Sequence, residues 1–264
     1  MKRMFLFFVA MGMMLSATVA QVSVWDGTHT AWTNGAGTQS NPYLIETAQH
    51  LAYLAVYVNN GTEEVHFKIV GKDKYWKLTT DIDLNSMQWD PIGFYNGTFD
   101  QYFFGGHFDG GGHTIANLVT SGKQRAGLFG QMDGGSVKNV GIIGNTSISA
   151  EVEMNSYYDA VSYAGGIVGY VSGSSSIENC NNTGNVSAVS SNSTYASYSY
   201  SGGIVGYSNG NIENCYNSGN ISASSAPSVS YSCAGGITGR SNGSIVRANA
   251  SKKVSLCKIF RRRR

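Results

Sequence analysis

The sequence predicts an all-β chain: a right-handed parallel β-helix (a β-solenoid) with one short N-terminal capping helix. Three observations carry that expectation. First, one phrase recurs: Gly202-Gly-Ile-Val-Gly206, Ile212-Glu-Asn-Cys215 and Asn217-Ser-Gly-Asn-Ile-Ser-Ala223 repeat Gly165-Gly-Ile-Val-Gly169, Ile177-Glu-Asn-Cys180 and Asn182-Thr-Gly-Asn-Val-Ser-Ala188. A looser copy opens at Gly127-Leu-Phe-Gly130 and a fading one at Gly235-Gly-Ile-Thr-Gly239; counted from the Gly before each Leu or Ile, the copies are 39, 37 and 33 residues apart. Such a period marks a stacked array whose units bury their apolar faces against their neighbours. Second, each copy consists of short β-branched pieces set between Gly, Asn and Ser, with no helical 3.6-residue spacing. Gly supplies positive φ at corners, and Asn tolerates the left-handed region while bonding nearby backbone. Third, alignment places like on like. Val137, Ile177, Ile212 and Ile245 form an apolar column; Asn139, Asn179 and Asn214 form a second, and Asn145, Asn185 and Asn220 a third. Stacked coils step by about 4.8 Å, and superposed amides can bond one another because each carries donors and an acceptor.

Taken in order, residues 1–20 read as a secretory signal: Lys2 and Arg3, the apolar run from Met4 to Leu15, and small Thr18 and Ala20 before Gln21. The run is too short for an ordinary membrane span, so no transmembrane span is expected in the mature chain, which is expected to be exported, secreted or at a bacterial cell surface. Residues 21–45 form a polar lead-in ending in a strand at Tyr43-Leu-Ile45. Leu51, Leu54, Ala55 and Val58 follow the spacing of an amphipathic helix, with Thr47 as N-cap and Asn59-Asn60-Gly61 as stop. That helix is expected to cover the open apolar end of a solenoid occupying residues 46–250, with the repeats running from about 125. Tyr75-Trp-Lys-Leu78 and Ile82-Asp-Leu84 read as strands, and Trp89-Asp-Pro-Ile-Gly93 and Gly105-Gly-His-Phe-Asp-Gly-Gly-Gly112 as corners.

The phrase Gly127-Leu-Phe-Gly130 followed by Gly134-Gly-Ser-Val-Lys-Asn-Val140, with its copies, resembles the GLUG motif of bacterial surface and secreted proteins. Asn41-Pro-Tyr-Leu-Ile-Glu-Thr-Ala48, Leu78-Thr-Thr-Asp-Ile-Asp-Leu84 and Phe108-Asp-Gly-Gly-Gly-His-Thr-Ile-Ala-Asn-Leu118 are similar to the stretch that often precedes it in Bacteroidetes proteins. The resemblance covers roughly residues 25–245 and is specific for architecture. It implies an adhesin-like role and says little about ligand, because such repeats also stand beside IgA1-type metallopeptidases.

Charge and motifs narrow the function classes. Only 13% of residues are charged, and the formal net charge is +2. Residues 1–20 and 251–264 carry nine of the 18 basic side chains and no acidic one, leaving the body at about −7. That balance argues against nucleic acid as a partner. No His-Glu-x-x-His run, Gly-x-Ser-x-Gly elbow or phosphate-cradling loop is present, and no catalytic residue, metal site or cofactor is assigned. His107 and His113 lack ligand spacing, and Asp81-Ile-Asp-Leu-Asn85 lacks the Gly and Glu of a calcium loop. Within 160–239 the only charged residues are Glu178 and Glu213, at equivalent positions and read as a solvated column. Cys180 and Cys215 share a column with Val140 and Ala248 and read as small buried side chains, with a disulfide as the alternative in an exported compartment. Cys233, aligned with Gln124, Tyr163 and Tyr200, reads as a packing residue.

Ser/Tyr-rich inserts of varying length, around Tyr157-Tyr158, 190–201 and 222–232, separate the core phrases and belong on one edge of the solenoid. Tyr195 and Tyr198 are the candidate ligand-contacting residues, since Tyr buries area at low entropic cost and keeps a polar tip. The competing reading is that these are ordinary strand residues. Residues 251–264 admit three readings: a degenerate last coil, a truncation of a longer repeat protein, or a basic tail for anionic partners. The functional expectation is a non-catalytic binding module, adhesin-like, contacting glycan or an extracellular host or matrix protein. The alternatives are a carbohydrate-active β-helix enzyme and a structural spacer in a longer surface protein.

Overall fold

The computed structural model describes residues 22–60, 67–93, 95, 101–154, 159–251 and 255–261. The signal expectation (1–20), Tyr157, Tyr158, Lys252, Lys253 and residues 262–264 lie outside the described residues, as does the side chain of Tyr195.

The chain winds as a parallel β-solenoid. One coil shows the path: Phe129–Asp133 lies on a first face, Ser136–Lys138 on a second and Gly141–Ile143 on a third. Ser147–Met154 and Ala160–Gly165 then make an excursion before Val168–Ser172 returns to the first face. Stacking gives sheets of six, seven and seven strands on the three faces and a further sheet in the excursion. The second face registers Val137 on Ile177, Ile177 on Ile212 and Ile212 on Ile245, as the sequence column predicts. The lead-in is more than an approach: Ser23–Val24 pairs with Ile82–Asp83, and Tyr43–Ile45 with Tyr75–Leu78. The solenoid therefore starts before residue 46. Its first coil shares no phrase with the later ones, so the repeat does not mark it.

A single left-handed residue turns the second face into the third. Asn139, Asn179 and Asn214 have φ of 55°, 52° and 52°, a region costly for most L-residues and tolerated by Asn. The turn aims each amide at the next coil, with Asn139 N–H on the Glu178 carbonyl (3.0 Å) and Asn179 N–H on that of Glu213 (3.1 Å). The side chains add a ladder, Asn179 Nδ2 donating to Asn139 Oδ1 at 3.0 Å and Asn139 Nδ2 to Asp109 Oδ1 at 2.9 Å. The third column behaves likewise, with Asn220 Nδ2 donating to Asn185 Oδ1 at 2.9 Å.

A further Asn pair lies inside. Asn182 and Asn217 are fully buried in the column that holds Ile142 one coil earlier. Each amide closes on its own turn, Asn182 Oδ1 accepting from Gly184 N–H and Asn217 Oδ1 from Gly219 N–H. The two are joined by a 3.0 Å bond from Asn182 Nδ2 to Asn217 Oδ1. They dictate the second glycine of Gly-Gly-Ile-Val-Gly, since a Cβ on Gly166 would stand 2.7 Å from Asn182 Cγ and one on Gly203 2.2 Å from Asn217 Cγ. The first copy has Ile142 in that column, and Ala126-Gly127-Leu128 there carries one Gly fewer than Ala164-Gly165-Gly166-Ile167.

That missing residue shifts one alignment. Tyr163 is registered on Arg125, not Gln124, so the column reads Arg125, Tyr163, Tyr200, Cys233. Cys233 is also no mere packing residue: it is disulfide-bonded, and opposite it stands Cys257 in the antiparallel strand Ser255–Arg261. Cys180 and Cys215 are free and buried, each thiol directed at a carbonyl two residues back, Glu178 and Glu213, at 3.2 Å.

The helix Ala48–Asn59 closes the N-terminal end. Thr47 Oγ1 accepts the His50 N–H at 3.1 Å, and Leu51, Leu54, Ala55 and Val58 are buried in the main core. The other end is open: Ile245 is 44% exposed, whereas Val137, Ile177 and Ile212 in its column are 0% exposed. Ile177→Ala should accordingly destabilise by about 2–5 kcal/mol and Ile245→Ala by less than about 1 kcal/mol in urea titrations. Arg247, at φ 51° in the Asn column, gives a converse test. Arg247→Asn should raise stability by about 0.5–1 kcal/mol, because Asn fits the left-handed corner and extends the ladder.

Candidate functional site

The excursion is built from alternation. In Tyr198-Ser199-Tyr200-Ser201 and in Ser230-Tyr231-Ser232, a strand's two-residue period puts every Ser on one side and every Tyr on the other. Ser190 Oγ donates to the Tyr198 carbonyl at 2.7 Å, eight residues along the same strand, so the outgoing and returning arms of Asn185–Gly202 lie face to face. Ser147–Met154 stacks on the outgoing arm and Ala160–Gly165 on the returning one, while Ile221–Gly235 covers both from the other side. The result is a thin two-walled fin projecting from the body.

Serine lines its interior. Ser162, Ser190, Ser197, Ser199 and Ser201 are at most 1% exposed. Their hydroxyls bond across the gap, Ser199 to the Ser224 carbonyl and Ser201 to that of Ser222 at 2.6 Å, Ser197 to that of Ala226 at 2.9 Å, and Ser162 with Ser190 at 2.7 Å. Small side chains let the walls close tightly, and the hydroxyls satisfy polar groups that would otherwise be buried unbonded.

Tyrosine lines the outer side of the returning wall and meets a second ladder on the body. Tyr163 and Tyr200 stack at 5.7 Å on the fin, and Tyr170 and Tyr207 at 5.4 Å on the adjoining first face. Tyr163 lies 5.2 Å from Tyr170, and Tyr200 lies 6.0 Å from Tyr207. The two ladders thus fill the inner corner between fin and body. Tyr198 extends the strip outward, half-buried and parallel to Tyr231 at 5.0 Å. Burial, with Asp159 nearby, pushes the Tyr198 phenol up, further from ionisation.

An arginine stands at each end of the strip. Arg125 lies between the rings of Tyr95 (4.3 Å) and Tyr170 (4.6 Å), with its Nε and Nη1 buried and without hydrogen-bond partners. Arg240 covers Tyr207 at 5.7 Å and Tyr200 at 5.8 Å and donates to the Tyr200 hydroxyl at 3.2 Å. Of the expected contact residues, Tyr198 therefore falls on the strip, while the Tyr195 side chain is outside the described residues. Tyr170, Tyr207 and the two Arg were missed, yet a signal existed: Tyr follows Gly-Gly-Ile-Val-Gly in both close copies, and Arg follows Gly235-Gly-Ile-Thr-Gly239.

Elsewhere the polar candidates are occupied by the stack. On the second face Lys77, Asp109, Lys138, Glu178 and Glu213 form one outward column. Lys138 pairs with Asp109 at 3.5 Å and Arg247 with Glu213 at 3.7 Å, bracketing the stacked carboxylates. Burial alone would raise Asp109, but Asn139, the Gly111 N–H and Lys138 together hold it below its ordinary value. A groove of about 650 Å3 runs along this face past stacked Tyr75 and His107 (4.4 Å), where His107 Nδ1 bonds Ser136 Oγ at 2.8 Å. Asp81 Oδ1 accepts from Thr114 N–H at 2.8 Å, and Asp83 Oδ1 from Asn85 N–H at 2.7 Å and Asn117 Nδ2 at 2.8 Å. These carboxylates bind turns and neighbouring coils. Among the described residues no three His, Cys, Asp or Glu side chains gather into a metal-holding group.

The serine seam is directly testable. Ser199→Ala should cost about 1 kcal/mol by leaving the Ser224 carbonyl unpaired, and Ser199→Val about 1–3 kcal/mol by prising the walls apart, both read from urea unfolding.

Comparison with known proteins agrees with this architecture. The family model described as the GLUG motif matches residues 160–187 and 197–222. Those matches span two successive coils with their Gly-Gly-Ile-Val-Gly and Ile-Glu-Asn-Cys phrases. The chain is 29% identical over 151 residues to a "Putative Gly-rich membrane protein" of Evansella cellulosilytica, covering 57% of this chain and 15% of that protein. It is 33% identical over 174 residues to "Halomucin" of Haloquadratum walsbyi, covering 61% of this chain and 2% of that protein. The chain thus spans only a small part of either relative's length. Among solved structures, "a putative immunoglobulin A1 protease from Bacteroides ovatus" shares the fold, with a TM-score of 0.50 and 24% identity over 83% of this chain and 70% of that one. Among the described residues no helix is long and apolar enough to cross a membrane. The chain thus carries the GLUG motif twice, set in successive coils of a parallel β-solenoid.

Proposed function

We propose that this chain is a non-catalytic binding module of an exported or cell-surface protein, adhesin-like, which contacts glycan along the tyrosine-lined corner between fin and body. The observation that carries this reading is the strip of half-buried Tyr163, Tyr170, Tyr207, Tyr198 and Tyr231 stacked around the buried Tyr200. Phenol rings give a semi-rigid apolar surface, and their hydroxyls offer both donor and acceptor to a polyol. The strip runs along the stacking direction, so it offers a repeating polymer the same tyrosines at two successive coils. Chemistry is disfavoured by the charge pattern: the stacked Glu178 and Glu213 lie between Lys138 and Arg247 in an ion ladder on another face.

Screening the purified chain on glycan and matrix-protein arrays, with every hit assayed for cleavage, tests the proposal. Binding without turnover is expected, weakened about tenfold or more by the double change Tyr170→Ala with Tyr207→Ala and less by Tyr198→Ala. Turnover of a bound polysaccharide would overturn the reading and direct attention to Glu178 and Glu213.

A further inference from the structure

Resting on that reading, we infer that the strip is built for an anionic glycan, one whose carboxylate or sulfate groups are taken by Arg125 and Arg240. Charge is scarce where these residues stand. The body carries about −7, and residues 160–239 contain only two charged side chains, both Glu. Two cations at opposite ends of one aromatic strip are therefore not a sample of a generally basic surface. Among the described residues neither arginine has a carboxylate partner, in contrast to Lys123 on Asp90 (2.7 Å), Lys138 on Asp109 and Arg247 on Glu213.

The geometry suits an oxyanion. Stacked between Tyr95 and Tyr170, the Arg125 guanidinium has its faces covered, and its plane is fixed before any ligand arrives. Burial pushes its pKa down, the cost of a cation held without a counter-charge. Arginine takes carboxylate and sulfate with planar edge donors, a geometry that lysine does not reproduce; at Arg125 two of these donors, Nε and Nη1, are unpaired and buried. A cavity of about 310 Å3 adjoins this end, lined by Arg125, Tyr95 and Asn59 and by the ion-paired Lys123 and Asp90, so that Arg125 is its one cation without a counter-charge among the described residues. At the other end Arg240 is exposed, anchored by one bond to Tyr200 and free to donate its remaining N–H groups. The registers Arg125–Tyr163–Tyr200 and Tyr170–Tyr207–Arg240 set the two arginine backbones about three coils apart, ~14 Å along the stack, with Tyr170 and Tyr207 between their side chains. That is the span of a short oligosaccharide rather than a single sugar. The overall negative body would repel such a polymer elsewhere, which would confine it to this strip.

Calorimetry with three probes tests this: an oligogalacturonate, the same oligomer after carboxyl reduction, and a sulfated neutral galactan oligomer. The oligogalacturonate, the sulfated oligomer or both should bind, more weakly as salt rises, and the carboxyl-reduced form should bind at least about tenfold more weakly than the preferred anionic probe. Arg240→Gln and Arg125→Gln should each lower affinity about tenfold or more, the scale of one charge-assisted hydrogen bond, whereas Lys138→Gln on the opposite groove should leave it unchanged. Preference between the first and third probes assigns the ligand group as carboxylate or sulfate. Arg240 is exposed, so its variant and the ligand reduction keep the test valid even if Arg125→Gln unfolds. Equal affinity for charged and reduced oligomers, lost only in the tyrosine variants, would overturn the anionic assignment and leave the glycan reading standing. Failure of all three probes to bind would remove both.

Discussion

Each coil of a parallel solenoid must come back one strand spacing above its own start, with its backbone bonded to the coil below and offered to the coil above. That single requirement puts every residue directly over its counterpart, so each position is chosen for its ability to stack on itself. Ile on Ile meets this by packing, Asn on Asn by amide-to-amide bonding, Ser by small size and Tyr by ring stacking. Like charge fails it at a spacing of about 4.8 Å. The scarcity of charge in the close repeats is therefore a consequence of the fold. Glu178 over Glu213 stands on the outward side of the second face, where water screens the pair and Lys138 and Arg247 are the neighbours above and below.

The same requirement links fold to surface. An insert that leaves the body must stack on the inserts of neighbouring coils, and alternation of Ser and Tyr lets it do so while forming two walls. The serine side closes the fin through cross-wall bonds such as Ser199 to Ser224 and Ser201 to Ser222. The tyrosine side then has no interior to occupy and is pressed against the first face, where Tyr170 and Tyr207 stand. The tyrosine strip arises as the outer half of a packing solution. The arginines at its ends sit where the columns change character, Arg125 before the first Tyr of its column and Arg240 after the last of its own.

Much of this was legible because repetition prints the columns in the text. The Ile, Asn and Cys columns, the Thr47 cap and the position of the inserts on one edge follow from aligned phrases and local capping chemistry. What escaped did so where repetition lapses. The lead-in forms the first coil without sharing the later phrase. One Gly fewer beside Ala126 displaced Arg125 by a position, because the buried Asn182 and Asn217 that demand the extra Gly replace Ile142 only in the later coils. The Cys233 disulfide was hidden because the strand opposite it runs antiparallel and outside the repeat. The alternation in Tyr198-Ser199-Tyr200-Ser201 was plain, but which side faces inward depends on a second wall that local pattern does not announce.

The central claim is that the Ser/Tyr inserts are stacked, zippered sheet continuous with the solenoid rather than loops hung upon it. Native-state hydrogen exchange tests it most directly. Amides of residues 186–190 and 197–201 should exchange as slowly as those of 141–143 and 177–178 in the body, through opening of the same cooperative unit. Exchange of the insert amides at loop rates, with the body still protected, would contradict the account.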